Sequence, residues 1–228
     1  MVVTATVLDF LNHGMSPPNF NETHIVLILK IKEPKIVSDY RPISLCNVTY
    51  KIASKAIANR LKKVLPSIIS ETQSTFVHRR LITDNVLVTF ETMHHISQKK
   101  RGGVGEMAIK LDMSKAYDRV EWTCLEKIMD KLGFVDKWRK LIMQCITIVT
   151  YAIKINNCPK GHIIPSRGIR QEDPLSPYLF LLCAEGLSAM IKVSVCKGKM
   201  EGLAFSVVDQ SSPIYFLQMT ASFSTEHQ

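Results

Sequence analysis

Ile109-Lys110-Leu111-Asp112-Met113-Ser114-Lys115-Ala116-Tyr117-Asp118 is an apolar strand that ends on a carboxylate, with an aromatic five residues on and a second acid directly after it. Met107, Ile109 and Leu111 face one way, and Ala108, Lys110 and Asp112 the other. A carboxylate at a strand end, followed by a turn whose backbone carbonyl at Met113 can reach the same ion, is a fitting ligand set for a hard divalent cation such as Mg²⁺. An acid in that position is more often a helix cap, so the spacing alone leaves both readings open.

Upstream, His24-Ile25-Val26-Leu27-Ile28-Leu29-Lys30 predicts a strand, and a basic loop from Lys32 to Tyr40 delivers Arg41-Pro42-Ile43-Ser44-Leu45. From Tyr50 to Ile69 the apolar residues Ile52, Ala56, Ile57, Leu61, Val64 and Leu65 recur at helical spacing. On another face of the same helix stand Lys51, Lys55 and Lys62, with Arg60 and Lys63 beside them: either an ordinary solvated face or a nucleic-acid-binding stripe. Gln73 to Arg80 reads as a loop, and Asp84 begins a helix with apolar positions Val86, Leu87, Phe90 and Met93, broken at Lys99-Lys100-Arg101-Gly102-Gly103.

Downstream, Trp122, Leu125, Met129 and Leu132 predict a helix closed by Gly133. A further helix from Asp136 to Ile146 leads to the strand Tyr151 to Ile155, with Asn156-Asn157 as a hairpin turn before His162-Ile163-Ile164. Ser176-Pro177 opens a helix over Tyr178 to Met190, apolar nearly all round at its start and so predicted to be buried. The N-terminal Val2 to Leu11 predicts a helix before the break at Gly14, Pro17 and Pro18.

With 228 residues, 46% of them hydrophobic, the chain can bury a sizeable core. A net charge of +9 favours an acidic partner such as nucleic acid. Six cysteines without a Cys-x-x-Cys pair, and histidines away from zinc-ligand spacing, predict reduced, mostly buried thiols. With no basic leader, and no apolar run near the roughly 20 residues of a membrane span, the expectation is an intracellular, soluble chain without a membrane partner.

Six ordered blocks decide the wider reading. They are His24-Ile25-Val26-Leu27-Ile28 with Lys30; Asp39-Tyr40-Arg41-Pro42-Ile43-Ser44-Leu45-Cys46-Asn47; Lys55 with Ala58-Asn59-Arg60-Leu61; Gln73-Ser74-Thr75-Phe76-Val77 with Leu81-Ile82-Thr83-Asp84-Asn85; Lys110 to Asp118; and Gly168-Ile169-Arg170-Gln171 with Asp173-Pro174-Leu175-Ser176-Pro177. In that order the chain resembles the reverse transcriptase domain of LINE-type non-LTR retrotransposons, plant-type ones especially, up to about Phe205. The resemblance implies Mg²⁺, an RNA template with a DNA primer, and deoxynucleoside triphosphates. Phosphoryl transfer of this kind uses two cations about 4 Å apart held by carboxylates.

By the same resemblance Asp112 would be the first catalytic, metal-binding aspartate, with the Met113 carbonyl as a second donor. Tyr117 would be the aromatic wall under the incoming sugar. Lys30 and Arg41 would hold the triphosphate, and Gln171 would orient the nucleotide. Lys51, Lys55, Arg60 and Lys62 would bind nucleic acid, while Asp118 would have a structural role, pairing with a nearby base or capping the helix that starts near Val120.

The chain also departs from the family. An Ala-Asp-Asp hairpin should supply the remaining carboxylates, yet the sequence there reads Phe216-Leu217-Gln218-Met219-Thr220-Ala221-Ser222-Phe223-Ser224. Met has the single codon ATG, so moving the frame two places lets its G open an Asp codon, and CAG for Gln218 supplies a second. The segment then spells Phe-Ala-Asp-Asp-Ser-Leu-Leu-Phe, which implies a frameshift or a misplaced exon boundary after about Leu203. Glu172 and Arg79 replace glycines of the family pattern, His78 and Leu29 replace prolines, and a Cβ at Glu172 enters a turn that favours φ > 0.

The expected fold is therefore α+β: helix-rich fingers and a palm of antiparallel strands, incomplete and without a thumb. Its expected divisions are an extension over residues 1–20, fingers over 21–105, a partial palm over 106–205 and an aberrant tail over 206–228. The expected function is that of a reverse transcriptase fragment defective in catalysis, with nuclear localisation implied only by the family. The alternatives are a non-catalytic nucleic-acid-binding module and a relic without function.

Overall fold

The computed structural model describes residues 2–71, 73–77, 79–98, 113 and 115–198. Among the described residues the helices are α1 (Val2–His13), α2 (Val48–Ile68), α3 (Ile82–Gln98), α4 (Trp122–Lys131), α5 (Asp136–Thr147) and α6 (Ser176–Cys196). The strands are β1 (Glu22–Leu29), β2 (Tyr40–Cys46), β3 (Thr150–Ile155) and β4 (Cys158–Ile163). The predicted strand 107–112, the connector at 99–103 and the out-of-frame tail lie outside the described residues.

The chain divides into two compact units. One takes Met1–Val64 with Lys115–Cys183, the other the described parts of Leu65–Ser114 and Ala184–Gln228.

In the first unit the sheet has the order β2-β1-β3-β4. β1 and β2 form an antiparallel hairpin in which Ile28 faces Arg41 and Leu27 faces Pro42. Pro42 lacks an N–H, and β2 is an edge strand that can spare one. Asn156 and Asn157, at φ 48° and 65°, make the tight turn from β3 into β4, a left-handed pair that asparagine tolerates. The sheet differs from the wholly antiparallel one expected, because β1 runs parallel to β3 from Glu22 beside Thr150 to Ile25 beside Ile153. Turn residues specify each hairpin, whereas the join between hairpins is settled by tertiary packing that alternation does not encode.

The helices pack through a narrower face than their apolar residues suggest. Along α2 the buried positions are Tyr50, Ala53, Ser54, Ile57, Ala58, Leu61 and Leu65, while Ile52 and Val64 are exposed. The buried set follows the helical period from Tyr50; Ile52 lies about half a turn away on the opposite face, whereas Val64 lies on the same arc, about one turn from the helix end. Phe20 bridges α1 and α2, with ring centroids 4.8 Å from Phe10 and 5.8 Å from Tyr50. Leu125 and Met129 of α4, Ile142 of α5, and Leu179, Leu181 and Leu182 of α6 complete this core. α4 ends as predicted at Gly133 (φ 82°), where Gly133 N–H donates to the Asp130 carbonyl and Phe134 N–H to that of Met129.

Two expectations need correction, and α3 adds a finding. α6 runs on to Cys196 and, at 21 residues, is long and apolar enough by composition to cross a membrane, although Leu179 to Leu182 are core residues here. Of the six cysteines, all free, only Cys46 and Cys145 are buried; Cys183 is half-buried, and Cys124, Cys158 and Cys196 are exposed. In the second unit, Val86, Leu87, Phe90 and Met93 of α3 are exposed, so their helical spacing describes an apolar face and not a buried one.

Candidate active site

The site begins where two distant segments of the first unit meet. Tyr117 opens a 3₁₀ turn, Tyr117–Arg119. Ile169 N–H donates to the Tyr117 carbonyl at 2.9 Å, Gly168 N–H to that of Val120 at 2.8 Å, and the Trp122 indole N–H to the Gly168 carbonyl at 2.7 Å. Only glycine suits position 168: its φ is 90°, and a Cβ there would sit 3.1 Å from the Asp118 carbonyl oxygen and 3.2 Å from the Asp118 Cα. Docked in this way, the 168–173 segment places its turn beside the Tyr117 segment.

Tyr117 itself is buried, its ring 5.3 Å from that of Phe180 at a tilt of 44°. Burial, with the charge of Glu172 adding to it, pushes its hydroxyl up to about 12, so the group stays protonated at neutral pH. Glu172 therefore lies within electrostatic reach of the tyrosine. Its own backbone is left-handed, at φ 67°. Gln171, next to it in the turn, is half-buried.

Beneath the turn lies a buried ionic network that sequence reading did not single out. Arg170 Nη2 stands 3.1 Å from Asp173 Oδ2, and the two side chains are 2% and 3% exposed. Arg170 also donates to Asn21 Oδ1, to Thr23 Oγ1 at 3.2 Å and to the Cys145 carbonyl at 2.8 Å, and its guanidinium lies 3.9 Å from the Tyr50 ring centroid. Asp173 accepts from Tyr50 Oη at 2.7 Å, from Ser54 Oγ and from the Leu175 N–H at 3.0 Å. Burial pushes the Tyr50 hydroxyl well above its ordinary value, so it remains a donor. The available signal was an Arg and an Asp three apart, directly before an apolar helix.

The other predicted residues are spread over the chain. Lys30 is exposed at the tip of the β1–β2 hairpin, where its Nζ donates to the Ser38 carbonyl at 3.0 Å. Arg41 is half-buried on β2. Lys55, Arg60 and Lys62 are exposed on α2 and Lys51 is half-buried; the Lys62 ammonium lies 5.5 Å from the centroid of the Tyr178 ring. Met113 is exposed, and Asp112 lies outside the described residues. Asp118 is no cap: α4 starts at Trp122, and Asp118 sits in the preceding 3₁₀ turn. Among the described residues no three His, Cys, Asp or Glu side chains converge as a metal site.

Comparison with known proteins places the chain among relatives. Residues 31–206 match the family model described as reverse transcriptase (RNA-dependent DNA polymerase). The chain is similar to the transposon TX1 uncharacterized 149 kDa protein of Xenopus laevis, at 30% identity over 78% of the chain and 14% of that protein. It is also similar to retrovirus-related Pol polyproteins from type-1 retrotransposable elements R2. The Popillia japonica polyprotein is 24% identical over 86% of the chain and 28% of its own length, and that of Nasonia vitripennis is 26% identical over 74% and 16%. The chain thus spans between about a seventh and about a quarter of these relatives.

Proposed function

This chain belongs to the reverse transcriptase (RNA-dependent DNA polymerase) family as a fragment of a non-LTR retrotransposon protein, and from that premise we propose that it binds primer–template and deoxynucleotide but is defective in joining them. The observation that supports the reading best is the docking of the Gly168–Asp173 segment on the Tyr117 turn. It brings the Tyr117 turn and the segment that carries Gln171 together within the first unit, as a nucleotide site built from both would need. Arg41 and Lys30 on the hairpin would meet the triphosphate, and the exposed cations of α2 would neutralise backbone phosphates.

The family depends on metal, and we take the ion to be Mg²⁺. When bound it would activate the primer 3′-hydroxyl and neutralise the leaving pyrophosphate. Asp112 and the Met113 carbonyl are donors of the right hardness, but one carboxylate and one carbonyl are too few for two such ions. The carboxylates expected from the hairpin are absent from Phe216 to Ser224 in this frame. Loss of a metal ligand of that rank lowers turnover by orders of magnitude.

The test is Mg²⁺-dependent primer extension on an RNA template. It compares this chain with a version restored to the Ala-Asp-Asp frame and continued beyond it, each with and without Asp112→Ala. Extension by the restored protein alone, abolished by Asp112→Ala, is the expected result. Asp112-dependent extension by the present chain would refute the claim of a defect.

A further inference from the structure

We infer that Arg170 and Asp173 are positioning residues: their buried pair anchors the turn that carries Gln171, so that the turn's outward face is set before any ligand arrives. The pair brackets Gln171 and Glu172, closing the turn from below. Every remaining bond of the pair runs to a different neighbour within the first unit. Arg170 reaches Asn21, Thr23 at the start of β1 and the Cys145 carbonyl of α5, while Asp173 reaches Tyr50 and Ser54 on α2. The turn is thereby tied to three elements at once.

Stability alone is a poor explanation for such a pair. Desolvating two ions costs several kcal/mol each, and well-packed apolar side chains of similar volume often serve a core as well or better. What apolar side chains lack is direction. A guanidinium held on one face by the Tyr50 ring, at 3.9 Å, and along its edge by three oxygen acceptors besides Asp173 has one available orientation, and the backbone at 170 follows it. That this face serves a nucleotide rests on the function proposed above; the anchoring itself does not.

Amide hydrogen exchange on the full 228-residue chain tests it, comparing peptides across 168–172 with those of β1 and β3. Two variants are used: Ser54→Ala, which removes one bond and keeps both charges, and the apolar double variant Arg170→Met with Asp173→Leu. The expected result is faster exchange at 168–172, slightly in Ser54→Ala and about tenfold or more in the double variant, with the sheet unchanged. Turn and sheet loosening together, or a double variant whose turn stays protected, would overturn the inference. So would a double variant that fails to fold, which would make the pair a condition of the whole core. Titrating dTTP with Mg²⁺ into the same proteins separates the two claims. A loosened turn in a chain that never bound dTTP keeps the anchor and removes the nucleotide reading. Binding that survives a loosened turn keeps the nucleotide reading and removes the anchor's bearing on it.

Discussion

Arg79 and Glu172 stand where the resemblance calls for glycine, and both backbones are left-handed, at φ 66° and 67°. A side chain in that region costs on the order of 1–2 kcal/mol. Arg79→Gly and Glu172→Gly should therefore each raise stability by about 1 kcal/mol, less the entropy that glycine adds to the unfolded chain. Urea denaturation checks this, and an unchanged or lowered midpoint for both would contradict it. Gly168 gives the opposite case. Its φ of 90° and the Asp118 backbone 3.1–3.2 Å from a would-be Cβ leave no room, so Gly168→Ala should cost about 2–4 kcal/mol and detach the 168–173 segment from Tyr117. Near-neutral stability of Gly168→Ala would mean that the two segments are not held as described.

At the scale of elements, the end of α2 is fixed from outside the helix. In the second unit the Arg80 guanidinium donates to the carbonyls of Ser70 at 2.5 Å, Gln73 at 2.6 Å and Ile69 at 3.1 Å, and Glu185 accepts from the Ser70 N–H at 3.0 Å. Carbonyls at and beyond a helix C-terminus have no partner within the helix, and a cation there also meets the favourable end of its dipole. Arg80→Ala should cost about 2–3 kcal/mol. Arg80→Lys, which lacks the planar fork, should recover less than half of it, as a thermal-shift series would register. On the exposed face of α2, neutralising Lys55, Arg60 and Lys62 together should flatten the salt dependence of template–primer binding by up to about three in log–log slope; an unaltered slope would make this face ordinary solvated surface. Most of these elements were readable in advance, because period, turn residues and glycine caps are local: β1, α2, the Asn156-Asn157 turn and the Gly133 terminus lie where the sequence puts them. The parallel β1–β3 contact, the Arg80 clamp and the burial of the Arg170–Asp173 pair were not: the pair is local in sequence, but its partners Asn21, Thr23, Tyr50, Ser54 and Cys145 are far off in the chain, and spacing says nothing of them.

For the molecule as a whole, the buried and half-buried proton donors of the first unit fix how it responds to alkali. Burial pushes Cys145, Cys183, Tyr117 and Tyr151 up to about 12, and Tyr50 well above its ordinary value. In the unfolded chain such thiols lose their protons near pH 9 and such phenols near pH 10. Between those values and about 12 the folded unit keeps protons that the unfolded chain has released, so the unfolded state binds fewer and stability falls as pH rises. The stabilisation is whole below about pH 9 and drains away above it, with the thiols acting first and the phenols from about pH 10. Both tryptophans, Trp122 and Trp138, lie in this unit, so indole fluorescence reads its unfolding directly. The urea midpoint should hold level from pH 7 to about pH 8.5 and then fall with increasing steepness. Burial raises the Cys46 thiol as well, so in a Cys46→Ala, Cys145→Ala, Cys183→Ala variant, normalised to its own midpoint at pH 7, the onset should move toward about pH 10, because of these groups only the phenols then remain to titrate. A midpoint level to pH 11 would show these groups to be solvated in the native state, and with them the core around Tyr50 on which the 168–173 turn rests.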